Sequence, residues 1–169
     1  MKKPIVDFYL EKATDTSGRT LKEIQAWGYH KLESTHDYIQ WLFPLPEPSE
    51  YNLIAPVLDA EQIAEFQSNA ELRAQLLASF DRMLDFYGFK RNGMSIVRST
   101  LWAERSRNWL RSGNHNHLRL TRILKSLSTL GLKDHAQALF DALNAVFCEH
   151  SDIISNTTMG YWKHALLEQ

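Results

Sequence analysis

Cysteine is all but missing from this sequence: Cys148 stands alone among 169 residues. One thiol can form no internal disulfide and no cysteine-based zinc site, and it suits a reducing compartment. Long apolar runs are missing as well. No stretch approaches the ~20 apolar residues that cross a bilayer as a helix. The chain opens with Lys2 and Lys3, as a signal peptide would, yet Asp7 interrupts the apolar run that follows and Glu11 stops it. These absences predict a soluble, intracellular, cytoplasmic protein. Glycine is sparse too. The seven present are scattered singly, so there is no glycine-rich loop to cradle a phosphate.

Net charge is also slight, at −1, but it is unevenly spread. Between Lys90 and Lys125 the only acid is Glu104, against nine basic residues. Such asymmetry points either to an anionic partner or to neutralisation by the acidic remainder of the same domain. What the sequence does contain is ordinary for a folded protein: 44% hydrophobic and 11% aromatic residues. The length fits one domain, taken as 1–169.

The organising stretch is 114–131. Leu120, Ile123, Leu124, Leu127 and Leu130 recur at helical spacing on one side of a wheel. Arg119, Arg122 and Lys125 fall on the other, so the expected helix is apolar inward and cationic outward. Asn114 suits its start and Gly131 a left-handed stop.

The remaining elements follow in order. Residues 1–19 read as irregular. Thr20 with Glu23 forms a capping-box pattern opening a helix to about Trp27. A second helix is expected from about His30 to Leu42. Pro44, Pro46 and Pro48 then enforce an extended strap that continues through Pro56. It carries Phe43, Leu45, Tyr51, Leu53, Ile54, Val57 and Leu58, and is expected to pack across the domain surface. Asp59 with Gln62 opens a short helix, and Ser68-Asn69 caps a longer one that Gly88 closes. Asn92-Gly93 is a turn within an undecided stretch, 88–100. Helices follow from Trp102 to about Leu110, from Lys133 to about Cys148, and from a cap at Ser151-Asp152 onward. The fold class predicted is all-α, a compact single-domain bundle of about seven or eight helices with a proline-rich strap.

Three strings, in this order and spacing, carry a family resemblance. They are His36-Asp-Tyr-Ile-Gln-Trp-Leu-Phe-Pro-Leu-Pro-Glu-Pro48, Met83-Leu-Asp-Phe-Tyr-Gly88, and Asn108-Trp109 followed by the run Asn116 to Leu127 and Leu130-Gly-Leu132. They resemble the conserved region of the opioid growth factor receptor family, from about Phe8 to beyond Phe140. The resemblance implies an intracellular receptor for the opioid peptide enkephalin, associated in animals with the nuclear envelope. It does not imply a seven-helix membrane receptor, and it brings no catalytic residue. The chain ends soon after the shared region, so it reads as a short, tail-less form similar to microbial relatives.

Candidate chemistry is thin. His115 and His117, two residues apart at a helix start, point in different directions, whereas helical metal pairs sit three or four apart. They read as capping and hydrogen-bonding groups, and no metal or cofactor is expected. Cys148 has no adjacent base and orienting group, follows an apolar stripe, and reads as a buried small hydrophobe. Asp81 and Asp85, one helical turn apart, read as solvated acids. Two binding readings stand. Tyr38, Trp41, Phe43 and Trp109 are either core or the wall of an aromatic groove for a peptide or protein partner. Arg105, Arg107, Arg111, Asn114, Arg119, Arg122 and Lys125 are either internally paired or a face for an anion or nucleic acid. With no self-consistent acid, base and nucleophile, the expected function is a non-enzymatic binding domain.

Overall fold

Proline starts the first helix. In this computed structural model, which describes residues 2–167, Pro4 opens α1 (Pro4–Tyr9), where its missing N–H costs no hydrogen bond. Two amides of that first turn, those of Ile5 and Val6, donate to Gln62 Oε1 at 3.1 and 3.3 Å. The helix buries Ile5, Val6, Phe8 and Tyr9. This corrects the expectation that residues 1–19 are irregular: a six-residue helix is too short to display a period, and its cap comes from a residue far along the chain.

The Thr20–Glu23 capping box forms as expected and opens α2 (Leu21–Gln25). The single helix expected over 30–42 is instead two, α3 (Tyr29–Ser34) and α4 (Ile39–Leu42). Thr35 takes an extended conformation (ψ 132°) and ends the first. The side chain of Tyr38 turns back to donate to Leu32 O at 2.7 Å. Asp59 then caps α5 (Ala60–Ser68) through Gln62 N, 2.8 Å. Asn69 Oδ1 accepts from Glu71 N and Leu72 N at the start of α6 (Ala70–Tyr87).

The chain divides into two compact units, Met1–Phe80 and Asp81–Gln169. The core of the first gathers Phe8, Tyr9, Leu21, Ile24, Leu32, Tyr38, Trp41, Leu42, Phe43, Phe66, Leu72 and Leu76. Phe8 lies 5.1 Å from Trp41 and Tyr9 lies edge-on to Phe66 at 5.3 Å. The Tyr9 hydroxyl, fully buried, is not left unpaired: it donates to Leu42 O and meets Ser79 Oγ.

The second unit begins with the last turns of α6. Gly88, at φ 94°, ends that helix where a β-carbon would lie 3.1 Å from both Trp102 Cα and Arg105 Cβ. There follows β1 (Phe89–Asn92), paired antiparallel with β2 (Ser95–Arg98), Asn92 facing Ser95. Gly93, at φ 62°, takes the first place of the two-residue turn, where a tight hairpin of this kind requires positive φ. The fold is therefore mostly helical, and the all-α expectation is corrected by this small hairpin. Four-residue strands are too short for alternation to stand out from the surrounding sequence.

After α7 (Trp102–Trp109) comes the expected central helix, α8 (Asn116–Thr129). Leu120, Ile123, Leu124, Leu127 and Leu130 are all buried, as their spacing predicts. Gly131, at φ 97°, stops the helix, and Leu132 N donates back to Leu127 O at 2.9 Å, a Schellman closure. α9 (Lys133–Glu149) and α10 (Asn156–Leu167) pack on α8. The last helix starts later than Ser151-Asp152: Ser155 Oγ accepts from Thr158 N at 3.0 Å and is its cap. Ten helices occur among the described residues, two or three more than expected, because the chain breaks at Thr35 and folds already at Pro4. No helix among these residues is long and apolar enough to cross a membrane.

Candidate functional site

The last turns of α6, strand β1 and the link from β2 to α7 surround a concavity of about 380 Å³ in the second unit. Its walls carry Asp81, Asp85, Lys90 and Arg91, and its apolar lining is Leu84, Phe89 and Leu101. Helix spacing puts Asp81, Leu84 and Asp85 on one side of α6. Arg91 grips Asp81 with two bonds, Nε to Oδ1 at 2.6 Å and Nη2 to Oδ2 at 2.8 Å. This fork keeps the Arg91 pKa above its usual value, against the opposing effect of burial. Asp85 accepts from Arg82 at 2.9 Å. Lys90, on the exposed side, has no acidic partner among the described residues. Ser99 closes the rim: its N donates to Gly88 O at 2.8 Å and its Oγ accepts from Leu101 N at 3.1 Å.

Beneath lies an aromatic cluster built around Trp109. Its ring meets Tyr87 at 5.7 Å, Phe89 at 6.2 Å, Trp102 at 5.9 Å and His117 at 6.3 Å. Trp109 Nε1 donates to Tyr87 O at 2.9 Å, and His117 Nε2 meets Trp109 O at 2.9 Å. A carbonyl can only accept, so that histidine nitrogen carries a proton. Trp162 also meets the His117 ring edge-on, at 5.9 Å, and its Nε1 donates to His117 O at 3.0 Å.

Burial pushes the His117 pKa down, the Trp109 carbonyl partly restores it, and the charge of nearby His115 lowers it further. The net shift is downward, so folding favours the neutral ring. The stability this contributes is complete above about pH 6.5 and is lost as pH falls from there toward the folded-state value. Denaturant unfolding of wild type should therefore weaken from pH 7.5 to pH 5.5. The His117→Gln variant should lose part of that slope; an unchanged slope would mean that His117 does not titrate with folding.

Residues 3–169 match the family model described as the opioid growth factor receptor conserved region. The chain belongs to that family. It is 44% identical over 120 residues to the mouse opioid growth factor receptor, covering 68% of this chain and 18% of the relative. It is 38% identical over 141 residues to rat opioid growth factor receptor-like protein 1, covering 82% of this chain and 29% of the relative. The corresponding receptor-like protein 1 of Xenopus tropicalis is 36% identical over 166 residues, covering 94% and 31%. The chain thus spans less than a third of the length of these curated relatives. No solved structure matches it.

Within this opioid growth factor receptor region, the residues singled out from sequence separate. Tyr38, Trp41 and Phe43 are buried in the first unit and Trp109 in the second, none more than 3% exposed. They are core side chains here. Of the cationic set, Arg119 is corrected: it is 6% exposed rather than outward. The amphipathic wheel missed this because α9 and α10 both cover α8, leaving it little free surface. Arg122 and Lys125 are half-buried. Arg105 Nε donates to Phe86 O at 2.8 Å and its guanidinium lies over the Phe86 ring. Asn114 is occupied locally, accepting from Asn116 N and donating to Asn108 O. Arg107 and Arg111 are exposed, Arg111 Nε bonding Arg107 O at 3.1 Å.

Cys148 is exposed, not buried as expected, because α9 turns it away from its Leu139–Leu143–Val146 stripe. No cluster of three metal-ligating side chains occurs among the described residues. Phe89 and Leu101 were not singled out in sequence, and Lys90 only as the start of the basic stretch, since only the hairpin brings them beside Asp81 and Asp85.

Proposed function

We propose that this chain is a non-enzymatic recognition domain that seats a short peptide in the concavity of its second unit. The relatives are named opioid growth factor receptors, so an opioid peptide is the first ligand to test. The observation that carries the reading is the lining of the concavity. Asp81 and Arg91 neutralise one another, Lys90 is left as a cation without an acidic partner among the described residues, and Leu84, Phe89 and Leu101 form an apolar wall beside it. A peptide end supplies the complement, a carboxylate for Lys90 and an apolar side chain for the wall. The volume, about 380 Å³, lies at the small end of the range for ligand sites.

Calorimetric titration with an opioid pentapeptide tests this. Lys90→Ala, and separately the C-terminal amide of the peptide, should each weaken binding about tenfold, the worth of one partly exposed charge-assisted hydrogen bond. Leu101→Ser should weaken it as well. Equal affinity for acid and amide, with Lys90→Ala unchanged, removes Lys90 from the site and the reading with it.

A further inference from the structure

The proline strap does not do what its composition predicts. Its two ends pack: Leu45 and Leu58 are buried, and Leu58 N donates to Leu45 O at 2.9 Å, closing residues 46–57 into a loop. The middle does not. Tyr51, Leu53 and Ile54 are 78%, 82% and 75% exposed, and Val57 is 40% exposed. The loop is nonetheless held in shape. Ala55 N donates to Asn52 O at 3.2 Å, Tyr51 N to Ser49 Oγ at 3.2 Å, and Asn52 Nδ2 reaches Asp37 O and Gln40 Oε1. Single apolar side chains on a surface are ordinary; three within four residues, at the tip of an anchored loop, form a patch. Ω-loops of this size, closed at the base and packed on a scaffold, are common carriers of binding function.

Charge identifies the occupant. No lysine or arginine occurs from Leu32 to Leu72, whereas Glu47, Glu50 and Asp59 flank the exposed side chains. The tip is thus apolar, with Glu50 exposed beside Tyr51 and no basic residue near it in the chain. We propose that residues 50–57 are a docking element for a basic amphipathic helix of a partner protein, whose apolar stripe covers Tyr51, Leu53 and Ile54 while flanking lysines and arginines meet Glu50 and its neighbours. Hydrophobic contact supplies the affinity, and Glu50 selects against partners with acidic flanks. This surface lies in the first unit and is independent of the peptide concavity in the second.

The test uses the whole chain and two synthetic helical peptides with the same leucine stripe, one flanked by lysine and one by glutamate. Binding is read by fluorescence anisotropy. The lysine peptide should bind and the glutamate peptide should not. Leu53→Ser with Ile54→Ser should reduce lysine-peptide affinity at least tenfold. Glu50→Lys should reduce it several-fold, as should raising salt from 50 to 300 mM. All three side chains are exposed, so circular dichroism of the variants should match wild type. Lysine-peptide binding that survives Leu53→Ser with Ile54→Ser overturns the proposal, as does equal binding of the glutamate peptide or no binding at all. Sedimentation that finds wild type self-associated and the double variant monomeric also overturns it, because the occupant is then a second copy.

Discussion

Trp109→Ala should destabilise the second unit by about 3–5 kcal/mol, the usual cost of emptying a large buried aromatic site. The indole is fully buried and touches four other rings, those of Tyr87, Phe89, Trp102 and His117. These neighbours come from α6, β1, α7 and α8, so the cavity cannot be closed by moving one of them. The change also removes the donor that serves Tyr87 O. Since a domain of this size holds about 5–15 kcal/mol in total, the variant should be marginal. Trp109→Phe keeps most of the packing but still loses the hydrogen bond, which adds about 1 kcal/mol to the cost of the smaller ring. Guanidinium unfolding followed by far-ultraviolet circular dichroism measures both. A Trp109→Ala loss below about 1 kcal/mol would contradict the packing described.

The first unit should respond to Trp41 in a different way. Trp41→Ala should again cost about 3–5 kcal/mol, because the ring is buried against Phe8. Trp41→Phe should be much milder than Trp109→Phe. Trp41 Nε1 is buried with no hydrogen-bond partner among the described residues, so the wild-type chain already bears a desolvation cost of about 1–3 kcal/mol there. Phenylalanine removes that cost while giving up some packing, and the two effects oppose one another. The expected order of destabilisation is Trp41→Phe below Trp109→Phe, with the two alanine variants together and far above. Finding Trp41→Phe the more damaging of the two would indicate that its indole N–H is satisfied by an ordered water. Trp41→Ala is consequently unsuitable as a binding probe: loss of binding in that variant would report unfolding.

Much of this fold was legible in the residues. The capping box at Thr20, the caps at Asp59 and Asn69, and the stops at Gly88 and Gly131 all formed where the letters put them. Each is a contact between residues a few positions apart, so sequence spacing already contains its geometry. The leucine stripe of α8 was legible because a sustained 3.6-residue period has few alternatives over four turns. The errors lie where local pattern is short or where remote residues decide. α1 depends on Gln62, and the hairpin over 89–98 is too brief to show alternation. Arg119 looked solvent-facing on a wheel with one buried side, but its helix has two neighbours.

The sequence alone determined the family, the helical periods and the places where most helices begin and end, because these depend on side chains near one another in the chain. Tertiary structure decided which surfaces remain open. It buried Tyr38, Trp41, Phe43 and Trp109, brought Lys90 and Leu101 beside Asp81 and Asp85, and left Tyr51, Leu53 and Ile54 in water. Exposure is a property of everything that packs around a residue, and a one-dimensional pattern records only its neighbours along the chain.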